Sequence, residues 1–293
     1  VPDGQIDLFL QHGGASSPDK TEAYNFRLLG NRGLAKTWRE RAADNVAAIR
    51  LAREIETRGT PATEDEQAEL IRFIGFGASD LANTLFPRAG EGFCKAWEAV
   101  GTDLHAAVSP AELAALARAT QYAHYTPEFI VRAMWRGLRQ IGFSGGAVLE
   151  PGCGTGLFLA LMPEGMASRS SFLGIEADPT TARIARLIHP EADILHADFT
   201  RANLASGYDL AIGNPPFSDR TVRTDDPAGK VGLSLHDYFI ARSVAQLRPG
   251  GLAAFVTSRY TMDKTDETAR RFISGMADLL AGRPIEMTAQ GYL

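Results

Sequence analysis

Ala147-Val148-Leu149-Glu150-Pro151-Gly152-Cys153-Gly154-Thr155-Gly156 is the stretch on which the fold turns. An apolar run closing on an acid predicts a buried strand, the glycines that follow demand a turn, and a helical pattern resumes at Leu157. In an open parallel sheet, ligands bind beyond the carboxyl ends of the strands, and glycine lets the backbone come close to them. The segment therefore reads as a nucleoside-cofactor loop, with Glu150, Gly152, Cys153, Gly154 and Gly156 against the ligand. A dinucleotide fingerprint would need a third glycine where Leu157 stands. The plainer alternative is a structural tight turn.

Downstream, apolar runs at Ser171–Glu176, Asp193–Leu195, Tyr208–Gly213 and Gly251–Thr257 alternate with helical patterns. Asp178-Pro179 starts one helix, Leu235–Leu247 forms another, and Asp266–Leu280 a last one. Repeated strand-helix units predict an α/β fold with a doubly wound, mostly parallel, Rossmann-like sheet. At the end of the second strand, Glu176 with Ala177 is placed to take ribose hydroxyls, which does not separate S-adenosylmethionine from NAD. Asp178 reads as a helix cap. After the third strand, Asp198 offers an acceptor for an adenine amino group and Phe199 a cover for its ring; a turn aspartate and a core phenylalanine are the alternative.

The fourth strand runs into Asn214-Pro215-Pro216-Phe217. Two prolines fix the backbone and present carbonyls without competing donors. An amino group on a heteroaromatic base is a poor nucleophile, because its lone pair is delocalised into the ring. If the Asn214 side-chain oxygen and the Pro215 carbonyl accept its two hydrogens, that lone pair is released, and Phe217 can stack on the base. Orientation and acceptance of developing positive charge then suffice, without a strong base.

Upstream of the sheet the pattern is helical. Apolar positions from Leu34 through Trp38, Ala42, Val46 and Ile49 predict one amphipathic helix. Capping boxes predict others from Thr63 with Glu66 and from Ser109-Pro110 with Glu112, and a further helix is expected over Gly92–Val100. The organisation expected is an extended or disordered arm over 1–30, a helical domain over 31–120 and a catalytic domain over 121–293.

A net charge of -5 gives no whole-molecule attraction to polyanions, so any nucleic acid must be held by a local basic surface or by missing parts of a larger protein. The isolated chain is accordingly expected to bind DNA weakly. Cys94 and Cys153 make neither a disulfide framework nor a metal set. No basic leader precedes an apolar run, and no stretch approaches the roughly 20 apolar residues of a membrane span. A cytoplasmic protein without membrane attachment is expected, and Val1 in place of methionine points to processing or a fragment.

Asn214-Pro215-Pro216-Phe217 after the Glu150–Gly156 loop resembles the amino-group class of class I S-adenosylmethionine-dependent methyltransferases, in particular N6-adenine DNA methyltransferases. The resemblance implies S-adenosylmethionine as cofactor, a flipped adenine in DNA as target, and a methyl sulfonium facing the freed lone pair. Tyr125-Thr126-Pro127 matches a segment that in such enzymes touches the methionine end of the cofactor, although Thr126 with Pro127 also reads as a helix cap. By the same resemblance Tyr260 would be a second aromatic wall for the base, beside Phe217.

From Asn45-Val46-Ala47-Ala48-Ile49-Arg50 through His124-Tyr125-Thr126 and His236-Asp237-Tyr238-Phe239 to Thr261-Met262-Asp263-Lys264, the chain is similar to the methylase portion of large methylase-helicase proteins of phages and conjugative elements. A helicase region elsewhere in a parent polypeptide is implied. The family fold adds two strands for which 13 residues remain after Leu280, so an incomplete sheet is expected, with no target-recognition region. The ledge motif also resembles ribosomal RNA guanine-N2 and protein glutamine methyltransferases, and a non-catalytic binding module is a third alternative. His236, Asp237 and Tyr238 read as capping and packing, because adjacent helix residues diverge. Residues Ser218–Lys230 read as a mobile loop, and Lys36, Arg39, Arg50 and Arg53 as a solvated helix face.

Overall fold

The computed structural model describes residues 23–88, 90–122, 125–257, 261, 263–278, 287–288 and 291–292. Five helices come first: α1 (Trp38–Arg58), α2 (Glu64–Leu70), α3 (Ser79–Leu85), α4 (Glu98–Ala107) and α5 (Pro110–Ala119). The α/β part follows as α6 (Glu128–Gln140), β1 (Ala147–Pro151), α7 (Leu157–Ala160), α8 (Glu164–Ala167), β2 (Ser171–Glu176), α9 (Pro179–Ile188) and β3 (Asp193–His196). It continues as β4 (Tyr208–Gly213), α10 (Pro227–Val231), α11 (Leu235–Ala245), β5 (Leu247–Phe255) and a helix we number α12 (Thr268–Ser274).

The five strands lie in the order β3-β2-β1-β4-β5, each pairing parallel to its neighbour. The chain winds outward from β1 to β3 and then returns to place β4 on the other side of β1. That reversal opens a crevice at the carboxyl ends of β1 and β4. Successive residues of β1 serve opposite faces, as a strand buried on both sides requires: Val148 joins one core and Leu149 the other. The first core runs without a break from Val148, Leu210 and Ile212 through Trp135 to Ile49, Phe73 and Leu104 of the helical region. Charge adds to this contact, since Arg183 of α9 pairs with Glu56 of α1 and Glu112 of α5.

Several elements depart from expectation. The first helix begins at Trp38, not Leu34, because Thr37 and Glu40 form the capping box. The helix expected over Gly92–Val100 instead starts at Glu98: residues 92–97 fold back, and Phe93 lies edge-on to His105 and against the face of Gly101. α3 gave no capping signal, and Ala78 before it caps with no side-chain bond. β5 enters the sheet at Leu247 through an irregular register opposite Tyr208 and Leu210. The last helix ends at Ser274, with Gly275 as its cap.

The arm expected over 1–30 is anchored where it is described. Phe26 and Leu28 are buried, and their amides donate to the Ile188 and Ala160 carbonyls at 2.9 Å. Residues 1–22 lie outside the described residues, as does His124. The segment read as a mobile loop is built: Asp226 caps α10, Thr221 bridges to Ser234, and the Tyr238 hydroxyl donates to Asp226. Arg50 and Arg53 are not simply solvated; they pair with Asp103 and Glu112. A short antiparallel pair, β6 (Met287–Thr288) with β7 (Gly291–Tyr292), forms its own sheet and does not extend the five strands. Among the described residues, no helix is long and apolar enough to cross a membrane.

Candidate active site

A cavity of about 460 Å³ opens at the crevice between β1 and β4. Its floor is the loop after β1, where Gly152, Gly154 and Gly156 all take positive φ, at 70°, 57° and 78°. Side chains are excluded for different reasons along this turn. A Cβ at Gly156 would sit 2.5 Å from the buried His189 ring, whereas at Gly154 it would press on Tyr125 at 3.3 Å. The turn therefore packs on one side against α9 and presents its other side to the cavity.

Glu176, at the end of β2, accepts the Gly154 N–H on Oε2 at 2.9 Å and the Asp178 N–H on Oε1 at 2.8 Å. Each carboxylate oxygen keeps a further lone pair for a ligand. Glu176 is only half-buried by surface exposure, yet surrounding protein desolvates it and lifts its pKa to about 7. Glu150 is buried more completely; its Oε2 has no hydrogen-bond partner, and burial with the nearby Glu176 charge pushes its pKa well up. An unpaired carboxyl oxygen lining a cavity is a group awaiting a donor.

The other expected residues divide into those that reach the cavity and those that do not. Tyr125, Thr126, Gly152, Cys153, Gly154, Ala177, Asp198, Phe199, Asn214 and Pro216 line it together with Glu150 and Glu176. Gly156, Pro215 and Phe217 are not among its lining residues, and Tyr260 lies outside the described residues. Thr126 is buried but does not cap α6; Pro127 takes that position without a side-chain bond. Asp178 caps α9 through the Thr181 amide at 2.7 Å. Both readings of Asp198 and Phe199 hold: Asp198 closes a turn onto Thr200, Phe199 packs on Phe239 with centroids 4.7 Å apart, and both face the cavity.

Phe217 stacks one face of its ring on His236, with centroids 4.7 Å apart and planes within 16°. The trio at the start of α11 diverges as adjacent helix residues must. Asp237 completes the Ser234 cap, Tyr238 bonds Asp226, and His236 reaches the Pro216 carbonyl.

The roof was not foreseen. Gly75, Phe76, Leu116, Arg118, Ala119 and Tyr122 come from the helical region and line the same cavity as the glycine loop. Asn45, fully buried in α1, fixes this roof: its amide donates to the Gly75 carbonyl at 2.6 Å and accepts from Ile74 N–H at 2.9 Å. A polar residue on the apolar face of the first helix was the available signal.

With this geometry in view, the relatives are informative. Residues 172–279, from β2 to just beyond α12, match the family described as Eco57I restriction-modification methylase. The chain is 32% identical over 147 residues to Type II methyltransferase M.TthHB8I of Thermus thermophilus, covering 45% of this chain and 33% of that protein. It is 28% identical over 138 residues to Defense against restriction protein B of Escherichia phage P1, covering 45% of this chain and 6% of that protein. The chain thus spans at most about a third of these curated relatives. A solved type I restriction-modification methyltransferase subunit from Streptococcus thermophilus is 15% identical, with a TM-score of 0.45 over 78% of this chain and 59% of that one. Over residues 172–279 the chain is similar to that methylase family.

Proposed function

We propose that the chain is a DNA N6-adenine methyltransferase that uses S-adenosylmethionine. The observation that carries this reading is the convergence of Asn214 and Pro216, after β4, on the same cavity as the glycine loop and Glu176. The residues fit the cofactor: a glycine turn permits close approach, Glu176 has lone pairs for ribose hydroxyls, and Glu150 has an oxygen without a donor. On this reading Tyr125 and Thr126 lie at the methionine end, Gly152, Cys153 and Gly154 along the cofactor, Ala177 beside the ribose, and Asp198 with Phe199 at the adenine. Gly156 acts indirectly, by shaping the turn against His189.

Bound in this cavity, S-adenosylmethionine would supply an electrophilic methyl group for the target nitrogen, which would release a proton once methylated. The chain's part is to orient. Asn214 and the Pro215 carbonyl accept the hydrogens of the adenine amino group, which draws the nitrogen lone pair out of conjugation. Phe217 and Tyr260 would hold the flipped base from its faces. The partners on this reading are DNA carrying the adenine and a helicase region of a parent polypeptide, acting in the cytoplasm.

The test is methyl incorporation from labelled cofactor into DNA, RNA and protein side by side. Label in DNA alone is expected. Label in RNA or protein would redirect the substrate, and cofactor binding without transfer to any of them would leave a binding module.

A further inference from the structure

His236 stands directly behind the Asn214–Phe217 ledge, near the start of α11, and is 5% exposed. It touches the ledge twice: Nδ1 is 3.3 Å from the Pro216 carbonyl oxygen, and its ring is stacked on Phe217. On its far side Nε2 is 2.8 Å from the Thr257 hydroxyl, just past β5. That hydroxyl lies 2.9 Å from the Thr261 hydroxyl, which in turn donates to Asp237 Oδ1 at 2.9 Å. The second Asp237 oxygen accepts from Ser234 and faces the Lys264 ammonium at 3.3 Å. A line of polar contacts therefore joins the ledge to the end of β5 and back to the cap of α11.

We infer that His236 is the positioning residue of the ledge, fixing the Pro216 carbonyl and the plane of Phe217 in which the proposed reaction receives its base. This role rests on the proposed function. The physical need comes from proline itself. The rings lock φ at Pro215 and Pro216, but ψ of Pro216 stays free, and that torsion swings the Pro216 carbonyl and everything after it. A hydrogen bond to that carbonyl removes the remaining freedom, and the stacked ring fixes the orientation of the next side chain. Burial lowers the His236 pKa, and it is the Nδ1–H tautomer of the neutral imidazole that can donate to the Pro216 carbonyl. His236 does not line the cavity, so it acts through Pro216 and Phe217 and not on substrate.

Three substitutions separate the two contacts. His236→Phe keeps a ring and loses the polar contacts; His236→Gln keeps a donor and acceptor and loses the ring; His236→Ala loses both. Each full-length variant is assayed for cofactor affinity, for kcat and KM on DNA, and for amide hydrogen exchange in a peptide covering residues 212–221. His236→Ala should bind cofactor within about twofold of the parent, since it touches no cofactor residue, and lose kcat by about 10- to 100-fold with little change in KM. Exchange in that peptide should quicken while peptides from β1 and β2 stay unchanged, and the Phe and Gln variants should fall between. If His236→Ala does not fold, the other two variants carry the same comparison.

Unchanged exchange in the ledge peptide would overturn the inference, and so would faster exchange with parental kcat. A parent chain that binds cofactor but methylates no DNA would overturn the proposed function and this role with it. A parent that methylates DNA, matched by all three variants, would overturn the role of His236 alone.

Discussion

Glu176 receives the backbone N–H of Gly154 at 2.9 Å, so the acid that ends β2 and the glycine turn that ends β1 form one unit. Removing the carboxylate should therefore do two things: loosen the turn and take away the acceptors proposed for ribose. Glu176→Ala should weaken S-adenosylmethionine binding by about 1.5 to 3 kcal/mol, the worth of hydrogen bonds to a charged acceptor. Calorimetric titration measures it, and unchanged affinity would make Glu176 purely structural.

The same group predicts a pH dependence. Burial lifts Glu176 to about 7, so below that pH its carboxyl is protonated in the cofactor-free protein. Hydrogen bonds from hydroxyls favour the carboxylate, so cofactor affinity should fall as pH drops through 7 and level off above it. Glu176→Gln should flatten that dependence when dissociation constants are measured from pH 6 to pH 8. A parental curve without an inflection would contradict the assignment.

Gly156→Ala should destabilise the fold more than it disturbs the ligand. Its φ of 78° disfavours any side chain, by about 1 to 2 kcal/mol, and the new methyl would overlap the His189 ring. The expected result is a lowered melting temperature, partly restored in the Gly156→Ala, His189→Ala double variant. A double variant no better than the sum of the two single changes would mean that the overlap is relieved elsewhere.

Ala119 lines the cavity from the helical roof, so enlarging it tests whether that roof belongs to the binding site. Ala119→Phe should raise the cofactor dissociation constant by about tenfold or more while the melting temperature stays near that of the parent, because the new ring fills space and removes no contact. Equal affinity would confine the roof to a structural role.

How far the sequence could be read follows from where its signals are local. Strands β2 and β4 were legible to the residue, because both are apolar runs bounded by polar or glycine punctuation. The caps at Thr63, Ser109 and Asp178 were legible because side chain and amide lie three residues apart. The residues from the helical region were not, since Phe76, in the loop between α2 and α3, and Leu116 of α5 reach the cavity only through tertiary packing. Thr126 is not the cap its spacing suggests: Pro127 takes that position, and Thr126 is buried with its carbonyl accepting from Arg32. The contacts of His236 are not legible beyond capping and packing because its partners, Pro216 and Thr257, lie 20 and 21 residues away.

The central claim is best tested at the modified base itself. The chain is incubated with labelled S-adenosylmethionine and DNA, the DNA is digested to nucleosides, and the labelled species is identified for the parent and for Asn214→Ala. Asn214 is proposed to touch the target amino group and not the cofactor, so both proteins should bind cofactor with similar affinity. Label should appear as N6-methyldeoxyadenosine with the parent and be nearly absent with the variant. Label in a cytosine, or near-parental N6-methyladenine from Asn214→Ala, would contradict the account.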